Sequence, residues 1–418
     1  MSDENISTTT RESHVSRQSI DLSQDKLPTE TGAMRRVLFL DVLRAIACLM
    51  VVFYHSAVNI GVFPYVIWGF CGVHLFFVLS GYLLAVPYCK ALLAGTPLPD
   101  VRTFYLRRFI RVLPPYFVAL ALFVAIRNIS HLNVPSVKNI VSHLFLVFNY
   151  GSDVEFFSIN PVFWTLAIEL QFYLFLPLFM ASLSWFVNMS KTRRTTTVLG
   201  GLILLLLVGI VSRTVEFYWH SGNLSGGNDA IKFKSFLSYL DLFAAGMLVA
   251  FFKHLPEGHF LRRFAPLRMV GCGIVLIVAA NLWLTMRGHY DWLTVSEVST
   301  AVFFPVLVAT GFAFILLSHV LAPEQTTRFL HIPVLAWVGR ISYSVYLYHV
   351  GLQVVLWQIF GWQRYITSFP ILALVNALTT LPIVLLISYG LYRMVEEPSL
   401  NWMNALQKRK PPAKGVSA

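Results

Sequence analysis

Residues able to move a proton or hold an anion stand inside segments that are otherwise apolar. Residues 37–59, VLFLDVLRAIACLMVVFYHSAVN, carry Asp41, Arg44 and His55. Arg44 and His55 are eleven positions apart. At about 100° per residue that returns them to nearly the same helix face, roughly 16 Å apart along the axis. Both are therefore expected to look into one cavity. Histidine exchanges a proton near neutral pH, and arginine presents a planar fork of donors to an anion. An ionisable side chain at membrane depth costs roughly 3 kcal/mol on insertion scales, so its default reading is a functional site inside a bundle. An Asp41–Arg44 pair at i, i+3 that only pins helices is the competing account, and it leaves His55 unexplained.

Four further stretches add candidates. Residues 160–178, NPVFWTLAIELQFYLFLPL, place Thr165, Glu169 and Tyr173 on one face at intervals of four, with Trp164 alongside. A membrane carboxylate needs a partner, and His55 or Arg44 would serve if the two segments pack together. Residues 104–116, FYLRRFIRVLPPY, bring Arg107, Arg108 and Arg111 to the cytoplasmic mouth of a span that Tyr116 enters. Arg107 fits ordinary anchoring, but Arg108 and Arg111 share a face at i, i+3. Paired guanidiniums match phosphate oxygens, so a phosphorylated cosubstrate from the cytosol would fit there. Residues 72–84, GVHLFFVLSGYLL, set His74 near mid-membrane, with Ser80-Gly81 as a small surface open to close approach. Residues 339–349, GRISYSVYLYH, bring Tyr343, Tyr346 and His349 into another span. Asp241 is one more intramembrane acid, with no partner that the sequence identifies.

The elements that must position these groups follow from composition. The 418 residues are 56% hydrophobic and 12% charged, with a mean hydropathy of +0.66. Soluble domains carry about twice that charged fraction, so an all-α polytopic membrane protein is expected. Ten spans are expected at residues 37–59, 65–88, 112–129, 162–187, 197–213, 234–252, 269–286, 298–318, 341–360 and 369–392. The formal charge of +12 would suggest nucleic acid in a soluble chain, but here the basic residues fall in alternate loops. With the N-terminus in the cytoplasm, 24 Lys and Arg lie inside and seven in the other loops and span ends, which places both termini inside. No nucleic-acid partner is expected.

Residues 1–36 read as a disordered polar tail without the layout of a signal peptide, and residues 401–418 as a basic cytoplasmic tail. The four cysteines show neither metal-ligand spacing nor disulfide crowding and read as packing residues, with no metal expected. In the loop 130–160, LFLVF is too short to span and is expected in the outer interface or re-entering the bundle, where it would cover a site. Residues 216–229 read as a flexible outer loop. A secondary transporter would also place charges at mid-membrane, yet it commonly shows inverted repeats or paired broken helices, and neither is evident. A structural membrane protein remains a third reading, but it has no need of an Arg and a His on one face.

Taken together, these motifs resemble the membrane-bound acyltransferase-3 family, which contains bacterial O-acetyltransferases of surface polysaccharides. The resemblance rests on the Arg44 and His55 spacing, GVHLFFVLSGYLL, the Arg108 and Arg111 pair, WTLAIE with Trp164 and Glu169, SYSVYLYH ending at His349, and the closing EEPSL. It covers residues 37–400, which it implies are one transmembrane domain of ten helices with both ends in the cytoplasm of a bacterial inner membrane. It implies acetyl-CoA or another acyl-CoA as donor substrate, with no bound cofactor, and a hydroxyl of a glycan or glycolipid as acceptor, met amid membrane lipid. The family often has an acid where this chain has His74. Some relatives carry an additional extracytoplasmic esterase-like domain that this chain is expected to lack, so transfer is expected within the membrane domain or with a separate partner.

A sugar hydroxyl is a poor nucleophile near neutral pH, so its acylation by a thioester needs a nearby base. His55 is the expected base, with Glu169 orienting its ring and Arg44 holding the donor or stabilising charge on the thioester oxygen. Arg108, Arg111, Tyr116, His74, Trp164, Tyr173 and His349 are the expected substrate contacts. Direct transfer and a transient acyl-enzyme both stay open.

The charge distribution yields a topology test. A reporter fused after Lys410 is expected to read as cytoplasmic and one inserted near Gly226 as outside, scored by compartment-specific reporter activity. Both reporters on one side would remove the ten-span arrangement.

Overall fold

A chain that crosses hydrocarbon must satisfy its backbone internally, and here it does so with helices. The computed structural model describes residues 30–58, 67–129, 135–151, 157–189, 193–219, 233, 235–254, 266–287, 297–322 and 332–408, and among these it is all-helical apart from turns. The helices are α1 (Glu30–Val58), α2 (Cys71–Ala94), α3 (Val101–Ile129), the short α4 (Val137–Leu144), α5 (Phe163–Met189) and α6 (Arg194–Trp219). There follow α7 (Leu240–Lys253), α8 (Pro266–Arg287), α9 (Glu297–Leu321), the short α10 (Pro333–Arg340), α11 (Ser342–Phe360) and α12 (Phe369–Leu391). A π-helical turn, Tyr392–Glu396, leads from α12 into α13 (Glu397–Lys408).

Nine helices among the described residues are long and apolar enough to cross a membrane. The remaining expected span is α11. Its 19 residues include Tyr343, Tyr346, Tyr348, His349 and Gln353, which lower its hydropathy. All but Tyr343 of these five are buried against other helices. The chain is an integral membrane protein.

A close approach joins α2 to α7. Gly81 of α2 lies against the Phe243 backbone, and Gly246 of α7 lies against Val78 and Tyr82, so a Cβ at either glycine would meet backbone atoms. Small residues let membrane helices meet where no hydrophobic force draws them together. The Ser80-Gly81 pair thus divides its tasks, with Gly81 taking α7 and Ser80 facing the site described below. Asp241, at the start of α7, pairs with Arg213 of α6 at 2.5 Å, and both side chains are 1% exposed. Arg213 also donates to the Ser238 carbonyl at 2.6 and 3.0 Å and to that of Val302 at 3.3 Å, so the charge is paired and hydrogen-bonded as burial requires. Arg213, which the charge count above includes among the seven in the outer loops and span ends, is therefore a core residue.

Two further expectations need correction. Residues 104–111 belong to α3 and not to a loop before it. The Asp100 carboxylate accepts the Thr103 N–H at 2.8 Å and starts the helix, which the arginines then sustain. In the loop 130–160 the lining of the smaller cavity described below comes from Phe157 and not from LFLVF. That segment closes α4 and turns through Leu146, a buried residue at φ 52, leaving Phe145 and Val147 exposed. The expected outer loop 216–229 lies largely outside the described residues, as do residues 1–29 and 409–418. Cys48, Cys71 and Cys89 are buried, Cys272 is exposed, and all four are free.

Candidate active site

Helices α1, α2, α3, α5 and α11 line a partly open cavity, the empty space in it and at its mouth amounting to about 810 Å³. Arg44 of α1, Arg108 and Arg111 of α3, Ser80 of α2, Thr165, Glu169 and Tyr173 of α5, and Ser342, Tyr343 and Tyr346 of α11 line it. The four-residue spacing on α5 turns Thr165, Glu169 and Tyr173 inward together. Tyr343 donates to the Val112 carbonyl at 2.8 Å, which fastens α11 to α3 one residue beyond Arg111.

The arginines of this cavity are not satisfied by direct ion pairs. Glu169 accepts hydrogen bonds from Ser80 at 2.7 Å and from Tyr173 at 2.6 Å, two neutral hydroxyls. Among the described residues no ion pair within 4 Å joins Arg44, Arg108 or Arg111 to a carboxylate. The Asp41–Arg44 pair considered above is therefore not formed. The Nε of Arg108 is buried without a hydrogen-bond partner. Arg108, Leu83 and Leu84 also line an adjoining cavity of about 690 Å³, walled by Tyr88, Asp100, Thr103, Phe104 and Arg107. Asp41 and Glu396 act on Arg44 and Arg111 through space but reach neither as an ion pair, so the three guanidiniums keep donors that suit a ligand with several negative charges.

His55 does not look into this cavity. It lines a second one, of about 360 Å³, with Tyr54, Phe70, Phe157, Pro161 and Trp164. Val73 and Tyr346 line both and form the wall between them. The Tyr346 hydroxyl is hydrogen-bonded to Thr165 at 2.8 Å. Sharing a helix face was correct reasoning about direction. The axial separation of roughly 16 Å is long enough for another helix's side chain to stand between the two residues.

Glu169 does not touch the His55 ring either. The hydrogen-bond partners of His55 Nδ1 are the Val51 carbonyl at 2.9 Å and His349 Nε2 at 3.2 Å. The structure thus brings Arg44, Arg108, Arg111, Glu169 and Tyr173 together in the larger cavity, and His55, Trp164 and, behind them, His349 in or beside the smaller. His74 lies in the core between the rings of Phe70 and Phe304 and lines neither. Tyr116 is buried with its hydroxyl donated to the His143 carbonyl at 2.8 Å, which ties α3 to α4 and takes it away from both cavities. Tyr346 as the dividing wall was not anticipated, although its placement three residues before His349 puts both on one face of α11.

A family described as an acyltransferase domain matches residues 37–393. A Staphylococcus aureus (strain COL) protein provisionally named an O-acetyltransferase is 28% identical over 335 residues, which cover 77% of this chain and 51% of the relative. O-acetyltransferase OatA of Staphylococcus aureus (strain NCTC 8325 / PS 47) is 25% identical over 324 residues, 74% of this chain and 49% of the relative. Peptidoglycan O-acetyltransferase OatA of Listeria monocytogenes is 32% identical over 163 residues, 36% of this chain and 25% of the relative. The chain spans about half the length of the first two of these relatives. No solved structure matches it.

Unpaired guanidiniums crowded in one cavity repel one another, a cost tolerated where a ligand offsets it. Arg44→Met is therefore expected to raise the melting temperature of the ligand-free protein in detergent, read by intrinsic fluorescence. A fall of several degrees would show that Arg44 is held by favourable contacts within the protein.

Proposed function

This chain belongs to the acyltransferase-domain family, and from that premise we propose that it is an O-acyltransferase that moves an acyl group, acetyl by the names of its relatives, from acyl-CoA to a hydroxyl of a glycan or glycolipid. The observation that carries this reading is the larger cavity, with its three arginines unpaired and Glu169 already engaged by Ser80 and Tyr173. The phosphates of CoA supply the missing negative charge. Arg107 and Arg108 at the adjoining cavity and Arg111 further in would receive them from the cytoplasmic side, with both chain termini on that side and the protein in a bacterial inner membrane.

The thioester then reaches the wall formed by Val73 and Tyr346. The acceptor hydroxyl enters the smaller cavity from the other side, against Trp164 and His55. His55 takes the hydroxyl proton as the oxygen attacks the thioester carbonyl, the Tyr346 hydroxyl at the wall steadies the charge on the carbonyl oxygen, and Arg44 holds the donor. The carbon–sulfur bond breaks, and the proton on His55 passes to the departing thiolate. The aromatic lining of the acceptor cavity suits the apolar face of a sugar ring.

Arg111→Ala is expected to raise the apparent KM for acyl-CoA roughly ten- to a hundredfold, the loss of one charge-assisted contact, with a smaller effect on the acceptor. Steady-state kinetics in reconstituted vesicles would read it. Unchanged donor kinetics would return Arg111 to anchoring.

A further inference from the structure

Two imidazoles on different helices meet beside the smaller cavity, His349 Nε2 lying 3.2 Å from His55 Nδ1. The Nδ1 of His349 lies 2.9 Å from the Tyr346 carbonyl and 3.2 Å from that of Val345, while the Nδ1 of His55 lies 2.9 Å from the Val51 carbonyl. A carbonyl only accepts, so each neutral ring carries its proton on Nδ1. His349 Nε2 then holds a lone pair and shares the His55 Nδ1–H with the Val51 carbonyl, a bifurcated bond. The lone pair of His55 falls on Nε2, the ring nitrogen these contacts leave for the cavity.

The helices are held in this register one turn further on. Gln353 donates to Ser56 Oγ at 2.6 Å and to the Val52 carbonyl at 3.0 Å, and Asn376 of α12 donates to the Ser56 carbonyl at 3.1 Å. His349 and Gln353 are both fully buried. Two rungs on α11, four residues apart, therefore grip consecutive turns of α1.

We propose that His349 is the positioning residue of His55, accepting its Nδ1–H so that Nε2 faces the acceptor hydroxyl as a base. This rests on the reading of His55 as the base. A neutral imidazole takes the place that a carboxylate fills in other histidine-dependent acyl transfers. When His55 gains the acceptor's proton at Nε2, the charge forms next to the His349 lone pair, which stabilises it. The Nδ1 proton stays where it is, and the Nε2 proton leaves with the thiol.

The test uses the full chain expressed in a host lacking the gene, whose membranes contain the native acceptor, with radiolabelled acetyl-CoA as donor. His349→Met keeps bulk and removes the acceptor nitrogen. The rate at saturating donor is expected to fall at least roughly tenfold with the donor KM unchanged. His349→Gln, whose amide oxygen can accept from the same Nδ1–H, is expected to restore most of that rate, at equal melting temperature. Equal rates for the Met and Gln substitutions, whether at the parental level or both lost with stability, would overturn the proposal in favour of packing alone. His55→Ala separates the two readings. Full activity there sinks the base itself, whereas lost activity there with parental activity in His349→Met sinks only the positioning role.

Discussion

Three guanidinium groups in a cavity lined by five helices, with no carboxylate ion-paired to them among the described residues, set the terms for the rest of this molecule. Charge in a membrane interior is tolerated when something answers it. Arg213 shows how the chain answers a charge needed only for architecture, with Asp241 and two carbonyls at close range. Arg44, Arg108 and Arg111 are treated differently. Glu169 is taken up by two hydroxyls, and Asp41 and Glu396 act on Arg44 and Arg111 only through space, so the guanidinium donors are left for an anion from outside the protein. Maintaining such a site requires a rigid surround, and the glycine contact of α2 with α7 and the tyrosine ties from α11 to α3 supply it.

The division of α1 between two cavities gives the arrangement its direction. Arg44 faces the anion site and His55 faces a small aromatic-lined space, with Tyr346 standing between. An enzyme joining a cytosolic donor to an acceptor on the far side of a membrane needs such a partition. The two substrates must meet at one point without opening a path for water and ions. In the proposed reaction Tyr346 marks that point.

Much of this was legible in the sequence because period and composition report directly on helices and on charge. The helical spacing of Thr165, Glu169 and Tyr173 placed all three on one wall, and Arg108 with Arg111 on another. What the sequence withheld were contacts between distant segments. Nothing local says that Glu169 meets Ser80 rather than His55, that His349 meets His55 across 294 positions, or that Arg213 meets Asp241. Facing direction along α1 was correct, but the side chain of another helix that splits its face into two compartments lies beyond any local pattern. The start of α3 was missed for a different reason. A basic run looks like a loop until the Asp100 to Thr103 cap is recognised as the beginning of a helix.

The central claim is that one end of α1 binds the donor while the other moves the proton, so the decisive measurement takes both quantities from one preparation. Donor affinity by calorimetry with acetyl-CoA and single-turnover acyl transfer would be determined for parent and His55→Ala. The account predicts unchanged affinity with transfer slowed at least about a hundredfold, the usual contribution of a general base. Transfer at the parental rate, or loss of acetyl-CoA binding in a correctly folded His55→Ala protein, would contradict it.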